Sequence, residues 1–341
     1  MAELNFHQSW EAVYGGDNMR TYIIRRLLLM IPTMLVVSIV VFFMIRFIPG
    51  SIVDIMAFQM SQSAAGGAMN VVTPDVIKES LGLDLPAHVQ YFNWMKGIFT
   101  RGDFGISLWT GRPVIQEILN RLPVTFELGF FAFIISQLVA LPVGIISAIR
   151  QDSWLDYLGR SFAIISLATP AFWLATLLIV FGSIWWGWSP PMQIIPFFED
   201  PLGNLAQFLI PAALLGTAMS AITMRMLRTT LLDVMRQDYI RTAWSKGLKE
   251  RVVVIRHAMK NAMIPVITII AGQAFIMLGG TVIIEQIFNL PGMGRLFIEA
   301  VFDRDYPYVS GINFILASIG LLLILATDLS YAFLDPRIRY R

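Results

Sequence analysis

Few residues of this chain have the types and the spacing that catalysis or metal binding requires. There is no cysteine, and the three histidines, His7, His88 and His257, lie far apart in the sequence. A thiolate or histidine metal site is therefore not expected. No Ser-His-Asp set, His-Glu-x-x-His helix or phosphate-binding glycine loop is present. The sequence predicts no catalytic site, no bound cofactor and no metal of the chain's own.

The most informative polar stretch is 225–260, which lies between two long apolar runs. It holds nine of the 25 Lys and Arg residues and only three carboxylates. Its apolar residues follow the spacing i, i+3, i+4, i+7 and i+8, which places them on one face of a helix: Ile240, Ala243, Trp244, Gly247 and Leu248. Glycine is typical of the position that ends a helix, so we expect the helix to end at Gly247.

This predicted helix has two interpretations. It could lie on the bilayer surface with its basic residues toward the lipid headgroups. It could also dock into a groove of another protein. The apolar stripe is short, whereas a longer apolar face would bind a lipid surface more strongly, so the pattern favours the protein groove. A helix seated in a groove would transmit rigid-body motion to the spans on either side.

The composition indicates a membrane protein. Hydrophobic residues make up 56% of the 341 and charged residues 14%, against roughly 25% charged residues in soluble domains. A helix needs about 20 apolar residues to cross the hydrocarbon core. We predict an all-α polytopic membrane protein with six transmembrane helices at 27–45, 128–149, 162–184, 206–224, 261–284 and 306–327.

The distribution of Lys and Arg predicts the orientation. The segments 1–26, 150–160, 225–260 and 328–341 together carry 17 of these residues, whereas the loop 285–305 carries only Arg295 and Arg304. Basic residues concentrate on the cytoplasmic side, so both termini and the 225–260 loop are expected to be cytoplasmic. The segment 46–127 is then external, and it is too long for the charge rule to apply.

The external segment 46–127 has the pattern of a small folded subdomain. Apolar residues recur at helical spacing within 89–99 and 114–122. Glycines that favour turns lie between these stretches, at Gly102, Gly105 and Gly111. We expect a subdomain between the first and second spans that caps the mouth of the bundle. A loose linker is the alternative.

The predicted spans contain almost no ionisable residues, which argues against a proton-coupled secondary transporter. Glu127 and Glu285 lie at span ends, and we interpret them as solvated interfacial carboxylates. The polar residues within the spans are neutral: Ser136, Gln137, Ser166, Thr169, Thr217, Ser220, Thr268 and Gln273. Such residues could line a solute path, but hydrogen bonding between helices is the favoured role for each of them.

Two stretches, 238–248 and 256–265, closely resemble the cytoplasmic loop of ABC-importer permeases of the dipeptide/oligopeptide branch. Arg241-Thr242-Ala243 stands where the wider importer motif has Glu-Ala-Ala, and Gly247 keeps the motif's spacing to Ala243. The resemblance runs from about residue 20 to the end. It includes 22–27, 82–86, 102–107, 112–128, 285–295 and 304–307.

The resemblance implies a type I permease fold in the plasma (inner) membrane of a prokaryote. It implies a second homologous permease subunit, two ATPase subunits that bind ATP and Mg, and an external solute-binding protein. The short helix of the loop would be the coupling helix, which contacts the ATPase through Ile240, Arg241, Ala243, Trp244, Lys246, Gly247 and Leu248. Segments 46–127 and 286–306 would contact the binding protein or gate the mouth.

The resemblance implies peptides as the substrate. The same branch carries nickel, glutathione or oligosaccharides, and these remain alternatives. A secondary transporter and a membrane-embedded enzyme remain as other classes of protein. ATP-independent uptake would favour the first, and turnover by the purified chain alone would favour the second.

Overall fold

The computed structural model describes residues 19–44, 46, 53, 55, 78–79, 82–191 and 193–334. The tail 335–341, most of the N-terminal segment and much of 47–81 lie outside the described residues. The described chain is nearly all helical. Its helices are α1 Met19–Met44, α2 Ala87–Arg101, α3 Val114–Ile149, α4 Trp154–Ala168, α5 Ala171–Trp186, α6 Pro201–Met235, α7 Asp238–Ser245, α8 Glu250–Val252, α9 Met259–Ile287, α10 Met293–Phe302 and α11 Tyr306–Leu334. A π-helical turn, Val253–Ala258, leads into α9.

Within the described residues, five stretches are long and apolar enough to cross a membrane, and they lie in α1, α3, α6, α11 and the segment from α8 into α9. The pair α4 and α5 passes the same test together and makes a sixth if it counts as one span. The prediction of an all-α polytopic fold is confirmed.

The third predicted span, 162–184, differs from a single straight helix. It lies across α4 and α5, which meet at an angle of 95°. The break falls at Thr169, whose φ of −98° and ψ of 120° are those of an extended residue. Thr169 precedes Pro170, and the proline ring disfavours the helical conformation of the residue before it. The break is therefore a local consequence of the sequence that an apolar run does not reveal.

Helices α3 and α6 pack closely along their length because glycines lie at their interface. A Cβ added at Gly216 would lie 2.7 Å from the carbonyl oxygen of Ala132. One added at Gly144 would lie 3.1 Å from the carbonyl oxygen of Met224. Small residues let the backbones of membrane helices approach one another, which gains van der Waals contact where no hydrophobic effect operates between helices. This pair forms the centre of the bundle.

Gln273 of α9 joins the central pair through hydrogen bonds. Its Nε2 donates to the carbonyl oxygen of Met219 at 2.7 Å. Its Oε1 accepts from Gln137 Nε2 and Thr223 Oγ1, each at 3.2 Å. The Gln273 side chain is buried, so this residue has the interhelical packing role that the sequence favours for neutral polar residues.

The described part of the external segment is folded against α1 and α11. Tyr91 of α2 shares a 2.8 Å hydrogen bond with Ser38 of α1. In the turn after α2, Ser107 Oγ donates to Asp305 Oδ2 at 2.5 Å, and Trp109 Nε1 donates to the carbonyl oxygen of Asp303 at 2.7 Å. These contacts hold the turn onto the start of α11.

The interpretation of Glu285 as a solvated carboxylate is wrong, because the residue is completely buried. Its Oε1 accepts from Thr125 Oγ1 at 2.7 Å, and its Oε2 accepts from the backbone N–H of Arg295 at 3.0 Å. Arg295 lies in the first turn of α10, where free N–H groups favour a negative charge. Glu285 therefore holds α10 onto the end of α9. Glu127, by contrast, stays partly exposed.

Candidate docking surface

Helix α7 is eight residues long and is bounded by local backbone features. It begins after Gln237, which has an extended conformation, and Asp238 places a negative charge in the first turn. Beyond its last residue, Gly247 has a φ of 75°, and its N–H donates to the carbonyl oxygen of Trp244 at 2.9 Å. Glycine adopts this left-handed conformation without strain. The helix therefore ends where the position of Gly247 predicts.

One face of α7 is buried within the chain itself. Ile240 is fully buried and Ala243 is 6% exposed. They belong to an apolar cluster with buried residues of α3, α6, the π-helical turn and α9: Ala148, Leu231, Val253, Ala258 and Ala262. Of the seven residues predicted to contact an ATPase, these two have no surface to offer a partner. They hold α7 on the bundle instead.

The rest of α7 and the residues that follow it expose large side chains. Trp244 is 42% exposed and Leu248 38%, and Arg241, Lys246 and Gly247 are also exposed. These five predicted residues are available to a partner. We call this set, with Tyr239, the docking surface.

Tyr239 is a member of the docking surface that the apolar spacing does not include, because it lies one position before Ile240. It is 43% exposed, and its hydroxyl accepts from Asn261 Nδ2 at 2.7 Å. This bond holds the phenol at the start of α9. An aromatic residue beside a buried Ile in a basic loop is a signal that could have identified it.

The docking surface is positively charged. Its members Arg241 and Lys246 are exposed, and so are the flanking Arg236 and Lys249. Arg241 forms an ion pair with Asp238 at 3.7 Å, but both side chains are largely exposed, so the pair contributes little to stability. An exposed tryptophan among cations is suited to a protein partner with an apolar groove and an acidic rim, since aromatic residues and Arg dominate the energetics of many interfaces.

A buried ion pair ties the helix that leads into α7 to the rest of the bundle. Arg228 of α6 donates to Asp156 of α4 through Nε and Nη2, each at 2.7 Å. Asp156 also accepts from Ser147 of α3. Asp156 is completely buried, and the Arg228 side chain is 17% exposed. The bidentate geometry makes this a strong contact between three helices.

Helix α6 is also bonded to α9, the long helix that follows α7 in the sequence. Thr230 Oγ1 lies 3.1 Å from the carbonyl oxygen of Ala262 and donates to it, sharing its proton with carbonyls of its own helix. Helix α6 runs without a break to Met235, and only two residues separate it from α7. A displacement of α7 would therefore move α3, α4, α6 and α9 together rather than bend a loop.

These features are those of a helical membrane protein that presents a short helix on a basic loop. The chain belongs to the family described as "Binding-protein-dependent transport system inner membrane component", whose model matches residues 140–340. Residues 19–129 match the model of the corresponding N-terminal region. The predicted membership of the binding-protein-dependent permease family is confirmed, and the chain is a component of a transport system of the inner membrane.

The relatives of this chain are transport permeases of similar length. A putative peptide transport system permease protein of Brucella abortus is 38% identical over 323 residues, which cover 94% of this chain and 100% of that protein. The dipeptide transport system permease protein DppB of Alkalihalophilus pseudofirmus is 37% identical, with 94% of this chain and 100% of that protein covered. The glutathione transport system permease protein GsiC of Pectobacterium atrosepticum is 35% identical, with 95% and 100% covered.

A solved structure supports the fold. A chain of the MetNI methionine ABC transporter, crystallised in an inward-facing conformation, superposes with a TM-score of 0.52 at 14% sequence identity. The superposition covers 64% of this chain and 97% of that chain. At this identity the likeness concerns the fold alone, which is that of an ABC transporter permease.

Proposed function

We propose that this chain is a permease subunit of an ATP-driven ABC importer for peptides and that α7 is the element on which an ATPase subunit acts. The observation that carries the proposal is that one part of the apolar stripe at α7 is buried and the other part is exposed. Ile240 and Ala243 attach it to the bundle, while Trp244 and Leu248 remain exposed in basic surroundings. A separate motor requires such a helix, anchored on one side and available on the other.

The proposed importer contains further subunits. A second homologous permease would complete the solute path, two ATPase subunits would bind ATP and Mg, and an external binding protein would deliver the solute. The chain itself would hold no cofactor and carry out no hydrolysis. The charge distribution supports an orientation with both termini and α7 in the cytoplasm.

Peptides are the proposed substrate because relatives that match along their whole length are named for peptide and dipeptide transport. Glutathione is the second candidate, since a glutathione permease is nearly as similar at 35% identity. A competition assay separates the two. Unlabelled dipeptides are expected to inhibit the uptake of the transported solute by assembled proteoliposomes. Inhibition of that uptake by glutathione, with no inhibition by dipeptides, would favour the second candidate.

The test of the docking surface is Trp244→Asp, assayed in proteoliposomes assembled with the ATPase subunits and the binding protein. A carboxylate in place of the exposed indole is expected to abolish most ATP-driven uptake, because it removes the apolar anchor and opposes an acidic groove. The amount of inserted chain is expected to stay unchanged, since Trp244 lies outside the core.

Phe198→Asp is the matched control, because Phe198 is an aromatic residue that is 96% exposed at the opposite end of the bundle. It is expected to leave the ATPase coupling intact. Wild-type uptake and wild-type substrate-stimulated ATP hydrolysis in Trp244→Asp would overturn the assignment of α7.

A further inference from the structure

A cavity lies at the end of the bundle opposite α7, between α1, α2 and the start of α11. Its volume is about 300 Å³, which is at the lower end of the range for small-molecule pockets. The polar residues on its wall are Arg46, Gln90, Asn93, Trp94, Tyr306 and Ser310. No Asp or Glu occurs among the described residues that line it, so the described part of its wall is positively charged.

Arg46 brings a guanidinium to this cavity with no carboxylate bound to it among the described residues. Its Nη1 donates to the carbonyl oxygen of Phe42 and its Nη2 to Gln90 Oε1, each at 2.7 Å. Its Cζ lies 3.6 Å from the centre of the Phe42 ring. A guanidinium has five N–H donors, and only two are used by these contacts.

Burial disfavours the charged form of Arg46. Burial lowers the pKa of Arg46 to about 10, and the nearby Tyr306 only partly opposes that shift. A cation that is partly buried beside neutral groups would be stabilised by an anion that enters the cavity.

Two further polar groups on the wall have no hydrogen-bond partner in the described part of the chain, namely Ser310 Oγ and Trp94 Nε1. Ser310 is 2% exposed, and neither atom has accessible surface through which a ligand in the cavity could reach it. The Trp94 ring is held between Phe42 and Phe314, with ring centres 5.5 and 5.7 Å apart. Buried polar groups without partners are rare because each costs free energy.

We propose that this cavity binds an oxyanion, a carboxylate or a phosphate, through Arg46, with the exposed amide of Asn93 as a further donor. The apolar wall at Leu83, Leu85 and Leu108 would accommodate a short hydrocarbon portion of the same ligand. The carboxylate of a small solute and the phosphate of a phospholipid headgroup both have this chemistry. The proposal does not rest on the proposed function, because binding is measured without ATP or partner subunits.

The test is calorimetric titration of the full chain in dodecyl maltoside, a detergent without phosphate. The probes are alanyl-alanine, alanyl-alanine amide, inorganic phosphate and dihexanoyl phosphatidylglycerol. We expect saturable binding of at least one oxyanion probe. The amide is expected to bind at least about tenfold more weakly than alanyl-alanine if the carboxylate is the ligand, because a charge-assisted hydrogen bond is lost. Preferential binding of phosphatidylglycerol over phosphate and dipeptide would identify a lipid as the source.

Three variants connect the binding to the cavity. Arg46→Gln is expected to weaken binding at least about tenfold, and Asn93→Ala about threefold. Asn93 is exposed, so the melting temperature of Asn93→Ala without ligand is expected not to fall. Arg112→Gln is the control, since Arg112 is an exposed arginine outside the cavity. Equal affinities of wild type and Arg46→Gln, or no saturable binding of any probe at millimolar concentration, would overturn the proposal.

Discussion

The short helices α7 and α10 lie at opposite ends of the bundle and are attached to it in different ways. Helix α10 is tied by the buried carboxylate of Glu285, which accepts from the N–H of Arg295 at the start of the helix. It also buries Met293, Leu296 and Ala300. Helix α7 buries only Ile240 and Ala243, and its contacts with the bundle are mainly apolar.

The difference indicates how rigid each helix is relative to the spans. A buried carboxylate bonded to helix N–H groups is directional and costly to break, so α10 behaves as a fixed part of the end of α9. An apolar contact is not directional. Helix α7 rests on α3, α6 and α9, and the ion pair of Asp156 with Arg228 joins α4 to α6. The aromatic side chains of α7 face outward. The bracing lies in the helices on which α7 rests, and the proposed docking surface lies on α7 and the residues that follow it.

The largest expected effect on stability is at the ion pair of Asp156 with Arg228. Asp156→Ala leaves Arg228 partly buried without its carboxylate and is expected to lower the free energy of unfolding by about 3–5 kcal/mol. Thermal unfolding of the purified chain measures this change. Asp238→Ala is the control, because Asp238 is 98% exposed in its ion pair and is expected to have little effect. Equal melting temperatures of the two variants would contradict the bracing role.

The next effect separates the buried part of the apolar stripe at α7 from its exposed part. Ile240→Ala removes a fully buried side chain and is expected to cost about 2–5 kcal/mol. Trp244→Ala truncates a side chain that is 42% exposed and is expected to cost about 1 kcal/mol or less. Its effect is expected in the affinity for an ATPase subunit, measured by co-purification. A larger loss of stability in Trp244→Ala than in Ile240→Ala would contradict the assignment of Ile240 as the buried anchor and Trp244 as the exposed residue.

A smaller effect tests the attachment of α10. Glu285→Ala removes the acceptor for Thr125 and for the N–H of Arg295, and we expect a loss of about 2–3 kcal/mol because buried donors are left unpaired. Glu299→Ala is matched, since Glu299 bonds to the same Arg295 but is 38% exposed. The melting temperatures of the two variants are compared in detergent. A melting temperature of Glu285→Ala equal to that of the wild type would show that α10 does not depend on this carboxylate.

The smallest expected effect concerns the space around the same contact. A Cβ added at Gly294 would lie 2.6 Å from Val282 Cα, a backbone atom, so Gly294→Ala is expected to cost about 1–3 kcal/mol through overpacking. A Cβ at Gly279 would meet nothing within 4 Å, and Gly279→Ala is expected to be neutral or slightly stabilising. The two melting temperatures, measured side by side, decide whether α10 packs as closely as described.

Several features were predictable because they depend on local chemistry. The apolar runs predict the spans, since a helix in lipid needs a continuous apolar length. The end of α7 at Gly247 was predictable because a left-handed residue favours glycine. The break at Thr169 could also have been found from the proline that follows it. The role of Glu285 could not, because its partners Thr125 and Arg295 come from other helices.

The sequence by itself determined that the chain is a helical membrane protein, where most of its spans lie, the charge of the 225–260 loop and the existence of α7. These follow from composition and from periodicity within single segments. Only the tertiary structure decided which part of the apolar stripe is buried, because Ile240 and Trp244 belong to the same stripe in the sequence. The neighbours that bury Ile240 come from helices distant in the chain. Burial is a property of what packs against a side chain, and a periodic pattern does not contain that information.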